Sequence, residues 1–378
     1  MIKCLVSLAA CVALAAPHLT ACTSAIISAS ANPYGRPLLW KHRDTDKPDN
    51  KIEYVKSTRP GEFSFVALFN ASDANLEEAW MGMNDVGFAV MNTASYNLKD
   101  DNVPDSAMDQ EGRIMARALR TCRSVDDFER LLKELPKPLG VEANFGVIDA
   151  AGNGAYFETD NNSFRRFNLS DAPGGVLIRT NYSKSGRPDE GFGFCREAAA
   201  EYLLAPYIAQ KAVSPEVLTE VVSRNFYHAL IQRDFVAQGD RWAIDQDFIP
   251  RASSTASIVI EGAKPGLDPS KVTPGELADE YVMWTALGYP PVAELTPVWC
   301  KDGGVDPQLR GTLPDGHSPA GDAARKRQAE VFPINKGNGQ RYVDLWKLYN
   351  ADGTGYSQVL TRRNREVYDR TRRARDAR

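Results

Sequence analysis

A chain of 378 residues, 43% hydrophobic and 25% charged, carries ample apolar material for a large core, which excludes an intrinsically disordered protein. Its formal net charge of −4 is small and gives no general affinity for nucleic acid. The length admits two domains, although layered α/β folds of this size are often one unit.

Residues 1–21, MIKCLVSLAACVALAAPHLTA, read as an export signal. Lys3 is the positive end, Cys4 to Ala16 the apolar run, and Leu19-Thr20-Ala21 precedes Cys22. The run is shorter than the roughly 20 residues of a membrane-spanning helix, and no second candidate follows it. The mature protein is therefore expected to be exported, periplasmic or secreted, with no transmembrane helix and at most a tether at its front end.

TSAIISAS then reads as a strand, Asn32-Pro33-Tyr34-Gly35 as a turn, and Pro37 to Trp40 as the start of the return strand. Strand-like runs follow at 52–57 and 63–70, and 79–95 forms a hairpin broken at Asn84-Asp85-Val86-Gly87. EGRIMARALRTC at 111–122 has helical spacing, and Ser124-Val125-Asp126-Asp127 resembles a capping start for the next helix. ANFGVIDA, AYFETD, FRRFNL and GGVLIRTN return to strands. A helical block is expected over roughly 193–232, with Ser214-Pro215-Glu216 opening one helix. Late strands are expected at 252–262 and 276–287. Residues 303–319 read as a surface loop, and the tail from about 320 as mainly helical. Hairpin-adjacent strands with helices gathered between them argue for an α+β layered fold. The expected organisation is a signal at 1–21, one domain over 22–319, and a helical C-terminal extension at 320–378 packed on the same domain. Residues 362–378 carry eight Arg against three acids, which reads as a solvated helix end or, alternatively, a basic docking arm.

Once the signal is removed, Cys22, Cys122, Cys195 and Cys300 remain. Four thiols allow two bridges, but no C-x-x-C is present, so zinc and thioredoxin-like readings are weak. Cys122 reads as a buried small hydrophobe. H-E-x-x-H, Walker, G-x-S-x-G and dinucleotide motifs are absent, and Asn350 to Gly355 lacks the closing Glu of a calcium loop. No cofactor and no metal are expected. Phe63, Phe65, Trp80, Tyr96 and Tyr182 suit either an apolar acyl pocket or plain core.

Cys22 is the unusual cysteine. A thiol at the start of a mature chain has a base built in, because the free α-amine, with a pKa near 8, can take its proton. Lys41-His42-Arg43-Asp44 lies on the adjoining hairpin strand and can fold back beside Cys22. There a carboxylate would hold the amine and a cation would favour the thiolate. The same cluster also suits an ordinary charged strand end, and His42 offers a papain-like Cys–His alternative.

Cys22-Thr23-Ser24-Ala25, then GRPLLWKHRDTD, then GMNDVGFAV, together resemble the choloylglycine hydrolase and penicillin V acylase superfamily, in its isopenicillin N acyltransferase-like branch. FGVIDAAGNGAYFE, VLIRTNYS and IPRASSTASIVI extend the likeness over most of the mature chain. The resemblance implies a four-layer αββα sandwich of the Ntn-hydrolase type, with an N-terminal cysteine acting on linear amides. It implies Cys22 as nucleophile, Asp44 as the carboxylate near its amine, and Asn92 as an oxyanion donor. Asn181 matches the family's T-N asparagine, and Arg251 the arginine heading the late strand. The family's Arg three places before the Asp is here Lys41, with Arg43 directly before Asp44, so either cation can be the one that assists. The implied partner is a small acyl-amide substrate, with hydrolysis and acyl transfer both open, and homo-oligomers are common in such folds.

Leu19-Thr20-Ala21-Cys22 also resembles a bacterial lipoprotein box. Lipidation there would block both the thiol and the amine of Cys22. The alternative is therefore a membrane-tethered binding protein on the same scaffold.

Overall fold

The computed structural model describes residues 21–98, 102–334 and 340–376. The signal-sequence expectation falls almost wholly outside them. Among the described residues, no helix is long and apolar enough to cross a membrane.

In chain order the strands begin with β1 (Thr23–Ile27), β2 (Leu38–Asp44), β3 (Asn50–Val55), β4 (Phe65–Asn70), β5 (Met81–Asn84) and β6 (Ala89–Ala94). Helices α1 (Glu111–Thr121) and α2 (Val125–Glu134) interrupt them before β7 (Ala143–Ile148), β8 (Gly154–Thr159), β9 (Phe164–Asn168) and β10 (Val176–Arg179). Then come α3 (Phe194–Ala209), β11 (Tyr227–His228), β12 (Arg233–Asp234), β13 (Trp242–Ile244), β14 (Ser254–Glu261), β15 (Val282–Leu287) and β16 (Leu295–Val298). Helix α4 (Pro319–Val331), β17 (Tyr342–Asp344), α5 (Leu345–Leu348) and α6 (Tyr356–Asp376) close the chain.

Two antiparallel sheets result. One has the order β10-β1-β2-β14-β15-β16, and the other runs β3 through β9 in sequence. Period-two alternation gives each sheet two apolar faces. Ile26, Leu39, Ile258, Met81 and Met91 meet between the sheets. On the outer face of the first sheet, Trp40, Trp284, Leu204 and Tyr368 bring α3 and α6 into one cluster. On the outer face of the second, Phe145, Phe157, Leu119 and Phe128 do the same for α1 and α2. Helix, sheet, sheet, helix is the αββα layering that the sequence resemblance implied.

Local chemistry explains the hairpins. In the β1–β2 connection Asn32 Oδ1 accepts from the Tyr34 N–H at 3.2 Å, and Gly35 sits at φ 65°. In the β5–β6 hairpin Asn84 does more than turn the chain. Its Oδ1 accepts from the N–H of Val86 and Phe88, at 3.3 and 2.9 Å, and its Nδ2 donates to the carbonyls of Leu119 and Cys122, at 2.9 and 2.8 Å. The asparagine of GMNDVG is thus a staple between a hairpin and the end of α1. Asn84→Ala strands several buried backbone groups at about 1–3 kcal/mol each. The expected loss is about 3 kcal/mol in urea unfolding, and a loss below about 1 kcal/mol would show that the staple is dispensable. Helix α2 opens with the expected capping box, in which the Asp127 N–H donates to Ser124 Oγ and the Ser124 N–H to Asp127 Oδ2, each at 3.1 Å.

Two expectations need correction. The helical block ends early: α3 stops at Ala209, a π-helical stretch covers Val217–Val222, and residues 227–234 form the small β11–β12 hairpin. Asn225 starts that turn by accepting the Tyr227 N–H at 2.6 Å, and Gln232 closes it at φ 50°. The late strand expected from 276 begins only at Val282, because the N–H groups of Glu280 and Tyr281 bond back to the Leu277 carbonyl at 3.1 and 3.3 Å. The tail is mainly helical with β17 inserted. Leu360 and Tyr368 of α6 are buried, and Arg375 pairs with buried Glu261 at 3.3 Å, so the Arg-rich stretch is docked along one side.

Candidate active site

Register brings the site together. Thr23 pairs with His42 across β1–β2, so Cys22 comes level with the end of β2. Ser254 pairs with Asp44 from β14, and a bulge follows before Ala256. Bulges re-aim side chains, and here Ser254 Oγ donates to Asp44 Oδ1 at 2.5 Å. Strand β2 is buried along its whole length although it contains Lys41, His42, Arg43 and Asp44. Four consecutive buried polar side chains are costly unless each has partners.

All four find them. Lys41 Nζ donates to Asn92 Oδ1 at 2.7 Å and to the Trp80 carbonyl at 2.8 Å. Because an ammonium only donates, this contact fixes the Asn92 oxygen toward Lys41 and leaves its NH2 for the cavity. Arg43 donates to Asn50 Oδ1 and to Asn70 Oδ1, the latter at 2.9 Å, and lies over the Trp80 ring. Asp44 takes Ser254 on one oxygen and Arg251 on the other, and the same Arg251 nitrogen donates to the Ala21 carbonyl at 2.8 Å. The Cys22 thiol donates to the Asp44 carbonyl over 3.8 Å.

Lys41 and Arg43 share one face of β2, and His42 points from the other. His42 Nε2 lies 2.8 Å from Ser254 Oγ. Since that hydroxyl gives its proton to Asp44, His42 donates from Nε2, leaving Nδ1 unpaired and buried. Burial pushes His42 down to about 4, with Asp44 opposing and Arg251 and Arg196 reinforcing the fall. A neutral histidine held on the helical side of the sheet does not suit the papain-like alternative.

Cys22, Lys41, Arg43, Asp44 and Asn92 all line one cavity of about 480 Å³ between the sheets, closed by Trp80, Tyr96 and Glu111. Burial pushes Lys41 down to about 8, and the Cys22 sulfur and Glu111 oppose that fall while Arg43 adds to it. Arg43 and Arg196 are each lowered by burial to about 10, and both stay cationic at neutral pH. Of the aromatic candidates, Trp80 and Tyr96 face the cavity. Phe63 and Phe65 are core, and Tyr182 stacks on Phe194, so these three are corrected out of the pocket.

Asn181 reaches Cys22 indirectly. Its Oδ1 accepts from Arg196 at 2.7 Å and its Nδ2 donates to the Ala94 carbonyl at 2.9 Å. Arg196, from α3, also donates to the Cys22 carbonyl at 2.5 Å and to Thr23 Oγ1 at 2.9 Å. Nothing in the helical pattern around Arg196 marks it from sequence. Ser254 and Glu111 were missed likewise. Among the described residues Cys22, Cys122, Cys195 and Cys300 are all free, with Cys122 buried in the core as expected.

Asp49, His317 and Asp322 converge on one spot. The two His317 nitrogens face the two carboxylates, at 3.4 and 3.2 Å, and Arg325 pairs with Asp49. That arrangement is an ion-pair knot rather than a set of ligands turned to a metal.

Residues 43–193 match the sequence profile of the family described as acyl-coenzyme A:6-aminopenicillanic acid acyl-transferase. No curated protein matches the chain in sequence. Among solved structures, the chain is similar to a Caenorhabditis elegans N-acylethanolamine-hydrolyzing acid amidase ortholog, at 15% identity and TM-score 0.41, covering 66% of this chain and 96% of that one. It is also similar to a single-substitution variant of the conjugated bile acid hydrolase from Clostridium perfringens, at 10% identity and TM-score 0.42, covering 73% and 92%. A third is penicillin V acylase from Agrobacterium tumefaciens, at 12% identity and TM-score 0.38, covering 74% and 86%. The stretch similar to that family, residues 43–193, holds Arg43, Asp44, Asn92 and Asn181.

Proposed function

We propose that the mature chain is an exported cysteine amidase that cleaves linear amide C–N bonds through Cys22. The observation that carries this reading is the setting of the Cys22 sulfur. It borders a cavity that Asn92 and Asp44 also line, with Asp44 paired to Arg251.

Removal of residues 1–21 frees the α-amine of Cys22 next to Asp44 and Arg251. The amine takes the thiol proton, and the sulfur bonds to the substrate carbonyl carbon as the C=O electron pair moves to oxygen. The Asn92 NH2 and the Lys41 ammonium face that oxyanion. Arg43 adds positive charge, while Asn181 acts through Arg196 to hold the Cys22 backbone. As the tetrahedral species collapses, the C–N bond breaks and the α-ammonium gives its proton to the leaving amine. Water then attacks the S-acyl enzyme, the α-amine accepts its proton, and the S–C bond breaks to release the acid. An amine acceptor in place of water makes the same step an acyl transfer.

The lipoprotein alternative requires a diacylglyceryl group on Cys22, which is only 6% exposed. A cavity of this size suits one small ligand. Intact-mass analysis of the mature protein, combined with a screen of chromogenic acyl-anilides, tests the proposal. A chain beginning at an unmodified Cys22, with an acyl adduct on it after quenching, is expected. A lipid adduct on Cys22 would establish the tethered alternative instead.

Asn92→Ala removes the proposed oxyanion donor and Lys41's acceptor together. A fall of about 10²–10³ in kcat is expected from the loss of such a donor, with KM changed less than threefold. A rise confined to KM would move Asn92 from the transition state to substrate binding.

A further inference from the structure

Arg251 and Ser254, which between them hold the Asp44 carboxylate, belong to one turn leading into β14. The Ser254 N–H donates to the Arg251 carbonyl at 2.8 Å, and the Arg251 N–H donates to Ser254 Oγ at 2.9 Å. Three bonds tie this turn to the rest of the fold. Gln328 donates to the Ala252 carbonyl at 2.9 Å, and the Thr45 N–H donates to the Ser253 carbonyl at 3.0 Å. The third tether is the charged one: the Ala252 N–H donates to Asp245 Oδ2 at 2.9 Å. Asp245 is itself fixed. It follows β13 directly, its N–H donates to the Arg341 carbonyl at 2.9 Å, and β13 pairs with β17.

Arg251 therefore lies in the field of two carboxylates, Asp44 and Asp245, while its Nη2 is committed to Asp44 and the Ala21 carbonyl. Burial pushes Asp245 up to about 6, with the Ala252 N–H and Arg251 opposing the rise, Asp44 adding to it and Arg341 opposing it. At pH 8 it is an anion. Tyr289, after β15, also lies in its field and stays neutral, pushed well up by burial. Around Cys22 the charged groups are Lys41, Arg43 and Asp44 from β2, Arg196 from α3 and Arg251 from the turn, with Asp247 acting on Arg196. A guanidinium beside an amine lowers its proton affinity and weakens it as a base, and a second anion on that guanidinium offsets the loss.

Resting on the amidase reading, we infer that Asp245 is a positioning residue for the nucleophile, anchoring the turn that carries Arg251 and Ser254 and, through its charge on Arg251, raising the proton affinity of the Cys22 amine and thiol. It touches neither the substrate nor the reacting atoms and acts through Arg251.

Asp245→Ala and Asp245→Asn separate the anchor from the charge, because the Asn amide oxygen still accepts the Ala252 N–H but carries no charge. On the mature protein, Asp245→Ala is expected to lower kcat for an acyl-anilide about tenfold, the worth of a hydrogen bond to a charged group, with KM changed less than about threefold. Asp245→Asn should recover most of that loss. In both variants the acid limb of kcat/KM should move to lower pH by about 0.5 unit, because the ammonium form loses a neighbouring anion. The same downward shift is expected without turnover, in the pH profile of Cys22 alkylation by iodoacetamide, read at Cys22 by peptide mass below the melting temperature of each variant. Asp245→Glu keeps the charge and should restore the wild-type midpoint. A purely structural role would leave the alkylation profile of Asp245→Asn where it is. Either that unshifted profile or a wild-type kcat in Asp245→Ala overturns the inference while leaving the amidase intact. If no anilide is cleaved by a chain with a free Cys22, it is the amidase reading that fails, and the alkylation profile still decides the place of Asp245.

Discussion

Cys22→Ala is expected to reduce acyl-anilide turnover to background while the protein stays folded. The substitution removes one sulfur from a residue that is 6% exposed and whose thiol contact to the Asp44 carbonyl spans 3.8 Å. That is a weak bond with little packing behind it, and a stability change within about 2 kcal/mol follows. The chemistry has no substitute. The neighbouring nucleophile candidates are either consumed in hydrogen bonds, as Ser254 is between His42 and Asp44, or sit elsewhere, as Ser24 does on Tyr156 at 2.8 Å. Cys22→Ser tests the same point more finely. A hydroxyl keeps the geometry but gives up its proton far less readily than a thiol, so a residual rate of about 1% or less is expected. Each variant's N-terminus has to be read by mass, because a chain still carrying residue 21 has no α-amine to act as base. Full activity in a correctly processed Cys22→Ala protein would remove the nucleophile assignment.

Asp44→Asn should be nearly as severe, and for two separable reasons. Asp44 is 1% exposed and is the anion facing Arg251, whose guanidinium also holds the Ala21 carbonyl. Replacing the carboxylate by an amide leaves a buried guanidinium without its closest counter-charge. Breaking a buried pair in this way typically costs about 3–5 kcal/mol. It also turns an NH2 group either toward Ser254 Oγ, which reverses or breaks the His42–Ser254–Asp44 chain of donors, or toward Arg251, which sets donor against donor. The mature α-amine then loses the carboxylate that orients it, and a drop of at least about 10³ in kcat is expected at temperatures where the variant is still folded. Thermal unfolding and single-turnover kinetics separate the two effects. A variant that melts early yet acylates within tenfold of the wild type would show that Asp44 supports the fold and leaves the amine alone.

The part of the site that could be read from the sequence is the part built locally. Cys22 and Asp44 lie on the two strands of one hairpin, so period-two alternation and a recognisable turn bring them together without any other element. Asn92 and Arg251 came from the order of motifs along the chain, and contact with Lys41 and Asp44 now gives each a physical place. Asn181 was matched only to the family's T-N asparagine, and its side chain bonds to Arg196 and to the Ala94 carbonyl. Residue type and spacing cannot show which way an amide is satisfied. GMNDVG was legible as a hairpin, but its asparagine's second role, closing the end of α1, depends on a helix some thirty residues on.

By itself, then, the sequence indicated most of the long strands, the β1–β2 and β5–β6 hairpins, the alternating apolar faces that demand two sheets between helical layers, and Cys22 directly before the first strand. All of these follow from short-range periodicity and turn chemistry. Only the tertiary structure decided which charges would be buried and against whom: Arg196 from α3 against the Cys22 backbone, Ser254 from the bulge of β14 against Asp44, and Glu111 from α1 on the cavity wall against the Glu142 backbone. Those pairings join layers far apart in the chain. The cost of burying a charge depends on the partners it finds in space, and one-dimensional pattern does not record that distance.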